Sequence, residues 1–168
     1  PATPNDFRYK FSWSPVGVIK ALNNDAKFIR DFIEVTETPY KNVGKYNVNN
    51  EFYEAYPNRD STPYISEYNF DSKWRTKEFV RGTLRLNGWK NAWSDIFKML
   101  DNKSTELNKQ IDILGEELWK KHPYLQDEQD RVVLFVKLLA RKDNKEVFNS
   151  FYALDEKGSG ENTAMGKL

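Results

Sequence analysis

The chain has 168 residues, 26 basic and 25 acidic, of which 39% are hydrophobic and 15% aromatic. That supports one domain with a real core, and the near-cancelled charge argues against nucleic acid as a partner. Cysteine is absent, which excludes disulfides, thiolate metal ligands and a cysteine nucleophile, and His122 as the single histidine argues against a histidine-built metal site or a Ser-His-Asp triad.

No apolar run reaches the roughly 18 residues of a membrane span, and no basic-then-apolar leader opens the chain, so a cytoplasmic protein with no membrane partner is expected. Phe7, Tyr9, Phe11 and Trp13 alternate with Arg8, Lys10 and Ser12, the period-two signature of an extended segment with one apolar face. Ser14-Pro15 reads as a helix start, Ser14 as N-cap and Pro15 at the first helical position. Val16, Ile19, Leu22, Ala26 and Ile29 continue at helical spacing, with Asn23-Asn24-Asp25 as a candidate break. Residues 33–36 suit a short strand, and residues 39–51, with Pro39, Gly44 and several asparagines, read as a loop.

Residues 52–56 are aromatic and strand-like, and Pro57-Asn58 turns them. A second strand over 79–86 ends at Asn87-Gly88, after which Trp89, Trp93, Ile96, Phe97 and Leu100 mark an amphipathic helix. Leu107, Ile111, Leu114 and Leu118 mark another, with Ser104 as a cap, and His122 reads as a helix-end residue facing the terminal carbonyls. The nearly unbroken apolar run 132–140 has the pattern of a strand covered on both faces. Lys142-Asp143-Asn144-Lys145 is a tight turn into a return strand over 147–154, and the stretch from Gly158-Ser159-Gly160 to Leu168 is too polar to pack unaided. The expected fold class is α+β: one domain over 1–168, with a mixed or antiparallel sheet covered by helices and a small helical insertion at about 89–130.

Three phrases carry the candidate chemistry. In Tyr56-Pro57-Asn58-Arg59-Asp60-Ser61, Arg59 sits at a strand exit, where a guanidinium can grip a carboxylate with two parallel hydrogen bonds; the plain alternative is a surface Arg-Asp pair at a turn. In Arg81-Gly82-Thr83-Leu84-Arg85, residues two apart share a strand face, so Arg81, Thr83 and Arg85 form a positive strip. Its alternative is the solvated face of an edge strand, with Leu84 and Leu86 turned to the core. In Phe11-Ser12-Trp13-Ser14-Pro15, Trp13 sits beside a helix N-terminus, where an indole can cover a flat ring; the alternative is a core tryptophan. Gly158-Ser159-Gly160 lacks the third glycine of a dinucleotide loop, and phosphate-loop, zinc and nucleophile-elbow motifs are missing.

Tyr9-Lys10-Phe11-Ser12-Trp13-Ser14 with Gly17 and Val18, then Tyr56-Pro57-Asn58-Arg59-Asp60-Ser61-Thr62 and Arg81-Gly82-Thr83-Leu84-Arg85, resemble in order and spacing three blocks of the saccharopine dehydrogenase family of the NADP-dependent, glutamate-forming type. The acidic run 127–130, the strand from Arg131 and the closing Ala164-Met165 resemble the later part of the same region. The resemblance implies a substrate-binding and dimerisation domain, separated from a nucleotide-binding domain that holds NADP. It implies an oxidoreductase acting on the secondary amine of saccharopine in lysine metabolism, a homodimer, and a chain inactive by itself. Motif by motif, it puts Trp13 and Ser14 near nicotinamide and substrate, gives Arg59 and Arg85 the carboxylates, and sets Thr83 and Leu84 against the substrate backbone. The rival expectations are a non-catalytic dimerisation or ligand-binding module, and a reductase of another amino-acid or polyamine adduct. Residues 89–130 match the family more weakly than the rest.

Overall fold

Ser14 and Pro15 start the first helix as the sequence predicts. In the computed structural model, which describes residues 3–125 and 128–158, α1 runs Pro15–Asn23 and the Ser14 hydroxyl accepts the Gly17 N–H at 3.4 Å. Pro1-Ala2, Asp127 of the acidic run, and the polar tail 159–168 with Ala164-Met165 lie outside the described residues.

The helical spacing expected through Ala26 and Ile29 stops at Asn23: Ala26–Arg30 is a strand, β1, paired antiparallel with β2, Ile33–Glu37. A buried short strand and a helix share apolar spacings over so few residues, and the Asn24-Asp25 break decides between them. The expected loop 39–51 is also more ordered. A 3₁₀ turn at Pro39–Lys41 leads into β3, Gly44–Val48, which hairpins through Asn49 and Asn50, both left-handed with φ of 51° and 65°, into β4, Glu51–Pro57. Two positive φ values match the twist of the flanking strands, and asparagine tolerates them.

A short helix, α2 (Pro63–Glu67), follows, and β5 (Gly82–Leu86) completes a three-stranded antiparallel sheet in the order β3-β4-β5. The aromatic helix expected after Gly88 is two pieces, α3 (Trp89–Ala92) and α4 (Ser94–Asp101), followed by α5 (Leu107–Lys121). These helices supply much of the core: Trp89, Trp93, Phe97, Leu100 and Ile111 pack with Phe11, Ile19 and Leu22. The sheet meets that core through Tyr56, whose ring stacks on Trp89 at 5.0 Å.

The opening segment does not run as a strand. Arg8 turns at φ 57°, and Phe11 bridges Pro123 through mutual main-chain hydrogen bonds with the chain just after α5. Phe7 and Tyr9 pack on the core while Trp13 is 58% exposed. His122 closes α5, and its ring stacks on Phe7 at 4.4 Å rather than facing the helix carbonyls.

The last elements form a long hairpin of β6 (Asp130–Lys142) and β7 (Lys145–Gly158), turned by left-handed Asp143 and Asn144 as expected. Its burial is not as expected: the run 132–140 is covered on neither face along most of its length. Register puts Leu134, Val136, Leu138, Phe148 and Tyr152 on one face, all between 40% and 56% exposed. Apolar content resembles that of a doubly covered strand, but here the covering surface is not supplied by the described residues.

Candidate functional site

Antiparallel parity sets up the site. Asn58 N–H donates to the Arg81 carbonyl at 2.9 Å, so hydrogen-bonded pairs continue at Tyr56/Thr83 and Glu54/Arg85. Leu84 and Leu86 therefore turn their main-chain N–H and C=O groups to the free edge of β5. A pocket of about 190 Å³ opens along that edge, walled by Leu84, Arg85 and Leu86, by the opening segment from Arg8 to Trp13, and by Tyr124 and the start of β6.

Arg85 projects toward the aromatic core, the reverse of a solvated strand face. Its guanidinium carbon lies 4.7 Å from the Tyr9 ring centroid, 5.4 Å from Tyr56 and 5.8 Å from Trp89. Its Nη2 donates to the Tyr56 hydroxyl at 2.7 Å, while its Nε has no acceptor and Arg85 takes no ion pair among the described residues. The neighbouring acid, Glu54, is committed elsewhere: it is 6% exposed and accepts the Gly88 and Lys90 N–H groups at 3.2 and 2.7 Å. Arg85 is thus a half-buried cation cradled by rings and lacking a carboxylate, a state that favours an incoming anion.

Two of the other pocket cations are paired. Lys10 pairs with Glu128. Arg131, 12% exposed, donates to both oxygens of Glu51 at 3.2 and 2.6 Å and of Asp155 at 2.7 and 2.6 Å. Those bonds push the Arg131 pKa up and hold the Glu51 and Asp155 carboxyls below their ordinary range. Tyr124 donates to Asp130 at 2.5 Å, and burial, followed by that bond, pushes its phenol up. Burial also raises the Tyr9 phenol, with Arg85 opposing. These groups hold protons and charge in fixed places.

Of the residues singled out in the sequence, Trp13, Leu84 and Arg85 meet on one pocket. Ser14 lies beside it as the cap of α1, and Thr83, opposite Tyr56, is not on its lining. Arg59 is not brought there. It is exposed at the other end of β4 with φ 56°, and its carbonyl accepts the Lys27 N–H at 2.9 Å. It lies five positions along the chain from Glu54 opposite Arg85, beyond the end of β4 at Pro57. Asp60 accepts from Thr62, and buried Ser61 accepts the Arg81 N–H at 3.0 Å, so Ser61 joins the second phrase to the third. Arg81 itself lies over the Tyr64 ring at 3.4 Å. Missed in the sequence were Tyr53, Tyr124 and Arg131, which only the long-range meeting of β4 with the hairpin brings to the site.

The described residues do not fit the phosphates of a dinucleotide. The strand-to-helix turn at Asn87-Gly88, with Gly88 at φ 89°, already holds the Glu54 carboxylate against its N–H groups. Trp13 stands exposed at the rim of the pocket. Among the described residues no group of three or more His, Cys, Asp or Glu could hold a metal, and no helix is long and apolar enough to cross a membrane.

The Saccharopine dehydrogenase C-terminal domain family matches residues 1–168. Among curated relatives, the mitochondrial alpha-aminoadipic semialdehyde synthase of Rattus norvegicus is 36% identical over 112 residues, 60% of this chain and 11% of its own length. The saccharopine dehydrogenase [NADP(+), L-glutamate-forming] of Pyricularia oryzae is 37% identical over 97 residues, 52% of this chain and 20% of its own length. The chain thus spans a tenth to a fifth of these relatives. A solved structure of apo histidine-tagged saccharopine dehydrogenase (L-Glu forming) from Saccharomyces cerevisiae shares the fold with a TM-score of 0.71 at 22% identity, over 96% of this chain and 51% of that one.

Proposed function

Because the chain belongs to the Saccharopine dehydrogenase C-terminal domain family, we propose that it is the substrate-binding and dimerisation part of an NADP-dependent oxidoreductase that acts on the CH–NH bond of saccharopine in lysine metabolism. The observation that carries this reading is Arg85, a cation on a pocket wall with no carboxylate partner among the described residues. A substrate carboxylate supplies the missing charge, and a charge-assisted hydrogen bond to guanidinium is among the stronger polar contacts available. The main-chain groups that Leu84 turns to the edge of β5 suit the amine and carboxylate of an amino-acid backbone, and Trp13 covers a planar ring at the rim. NADP, when bound, accepts or donates the hydride. Its phosphates belong to a nucleotide-binding domain outside these residues, with Trp13 and Ser14 meeting only its nicotinamide end. A pocket of about 190 Å³ suits one arm of a tricarboxylate rather than the whole, since ligand sites commonly run ~300–1,000 Å³.

The test is a titration of saccharopine into the full chain, followed by tryptophan fluorescence. Arg85→Gln should weaken binding about tenfold or more, as expected for one lost charge-assisted contact. Equal affinity in the variant would remove the carboxylate role.

The hairpin supports the dimeric half of the proposal. An isolated two-stranded ribbon is marginal in water, yet this one presents a continuous apolar face. A second copy laid face to face buries it. Light scattering should report a dimer, and Val136→Lys should dissociate it; a monomer at micromolar concentration would refute this.

A further inference from the structure

Arg8 shares the pocket with Arg85 and has no ion pair among the described residues. Its backbone is left-handed at φ 57°, which costs an L side chain about 1–2 kcal/mol relative to ordinary regions. The turn that holds it there is built: Arg8 N–H donates to the Asn5 carbonyl at 3.0 Å, and the Asn5 side-chain amide exchanges two hydrogen bonds with the Tyr9 main chain at 2.9 and 3.1 Å. The side chain is half-buried and runs beside the start of α3, where a Cβ at Gly88 would stand 3.6 Å from the Arg8 Nε. Glycine would fill this position without strain, so an arginine held in it is better explained by what its head does than by its backbone.

We propose that Arg8 is a second anion anchor of this pocket, and that the pocket therefore seats the two carboxylates of a single dicarboxylate arm, one on Arg85 and one on Arg8. The inference rests on the carboxylate role of Arg85 proposed above. Pairing favours it. The lining carries four cations, Arg8, Lys10, Arg85 and Arg131. Lys10 pairs with Glu128 and Arg131 with both Glu51 and Asp155, while one oxygen of Asp130 accepts from Tyr124 and the Arg131 N–H. Arg8 and Arg85 are the two that make no ion pair among the described residues. Size agrees too, because about 190 Å³ has room for a short dicarboxylate.

The experiment is an NMR titration of the full chain with glutarate and with butyrate at low ionic strength, where such contacts are least screened. Wild type should prefer glutarate about tenfold, the scale of one charge-assisted contact. Arg8→Gly should erase that preference, leave butyrate binding unchanged, and melt no lower than wild type, because glycine accepts the left-handed turn. Arg85→Gln should weaken both acids. A preference that survives Arg8→Gly, with Arg85→Gln still weakening both, overturns the Arg8 anchor and leaves Arg85 standing. Absence of glutarate binding by wild type, or a melting loss in Arg8→Gly, also overturns the anchor, while the saccharopine titration decides the Arg85 role separately.

Discussion

Gly115 is the point where α5 crosses α1, and replacing it with alanine sets two known effects against each other. A Cβ there would stand 2.4 Å from Val16 Cγ2 and 3.3 Å from the Val16 main-chain nitrogen. Mid-helix Gly→Ala ordinarily stabilises by about 0.9 kcal/mol. The obstructing atom, however, is a methyl of a β-branched side chain, which in a helix has one strongly preferred rotamer and cannot swing aside cheaply. Overpacking of this kind costs about 2 kcal/mol, so the net expectation is destabilisation by ~1 kcal/mol, a fall of ~2–4 °C in Tm for a chain of this size. The cycle with Val16→Ala checks the cause. Once the methyl is gone, Gly115→Ala should become stabilising by about 0.9 kcal/mol, giving a coupling of ~2 kcal/mol by urea denaturation. A Gly115→Ala protein as stable as wild type, or an equal loss in both backgrounds, would refute the close crossing of the two helices.

Arg131→Met should cost about 2 kcal/mol, discounted from its several charge-assisted bonds because Glu51 and Asp155 keep access to water, and should broaden Tyr53 and Val133 resonances as the hairpin loosens from β4. Urea midpoints and NMR linewidths check both. Burial is the main cause holding the His122 pKa below 6.5, aided by Lys121 and Lys10. The unfolded chain then takes the proton first, so stability should fall as pH drops through 6.5 and level off below the depressed folded value. His122→Phe should flatten that part of the pH–stability profile while keeping the stack on Phe7. Calorimetry should detect no micromolar NADP binding by the chain alone, since Glu54 occupies the Asn87-Gly88 turn.

Local chemistry made some elements legible and hid others. Ser14-Pro15 and Asp143-Asn144 announce a helix start and a hairpin because the capping hydroxyl and the left-handed turn are properties of adjacent residues. Asn49-Asn50 carries the same turn chemistry, but β4, with Phe52 and Tyr53 side by side, lacks the alternation that would frame it. The α+β class followed from the mixture of periods, whereas the bareness of β6 did not, because a sequence shows how apolar a strand is and not what lies against it. At the site, strand parity placed Arg85 and Thr83 on one face, but nothing local shows that this face points at Tyr9, Tyr56 and Trp89. Tyr124 and Arg131 reach the pocket only through contacts between distant parts of the chain.

The three phrases also divide differently from what their composition suggests. In the second, Arg59, Asp60 and Ser61 all have structural work: one carbonyl receives β1, one carboxylate receives Thr62, and one buried hydroxyl receives the third phrase at Arg81. Those bonds fix the register of β5 against β4, and the register decides which main-chain groups of Leu84 and Leu86 reach the open edge. The first phrase contributes the rim at Trp13, held through Phe11 and its bridge to Pro123, and Tyr9 just before it sets its ring above Arg85. A guanidinium with no ion pair among the described residues is tolerable inside such a frame because the rings of Tyr9, Tyr56 and Trp89 flank it: their faces offset part of its desolvation while leaving its charge for a guest. A carboxylate introduced beside it, as in Leu84→Asp at the pocket edge, would supply internally the charge a ligand otherwise brings, and should weaken anion binding even though Arg85 itself is untouched.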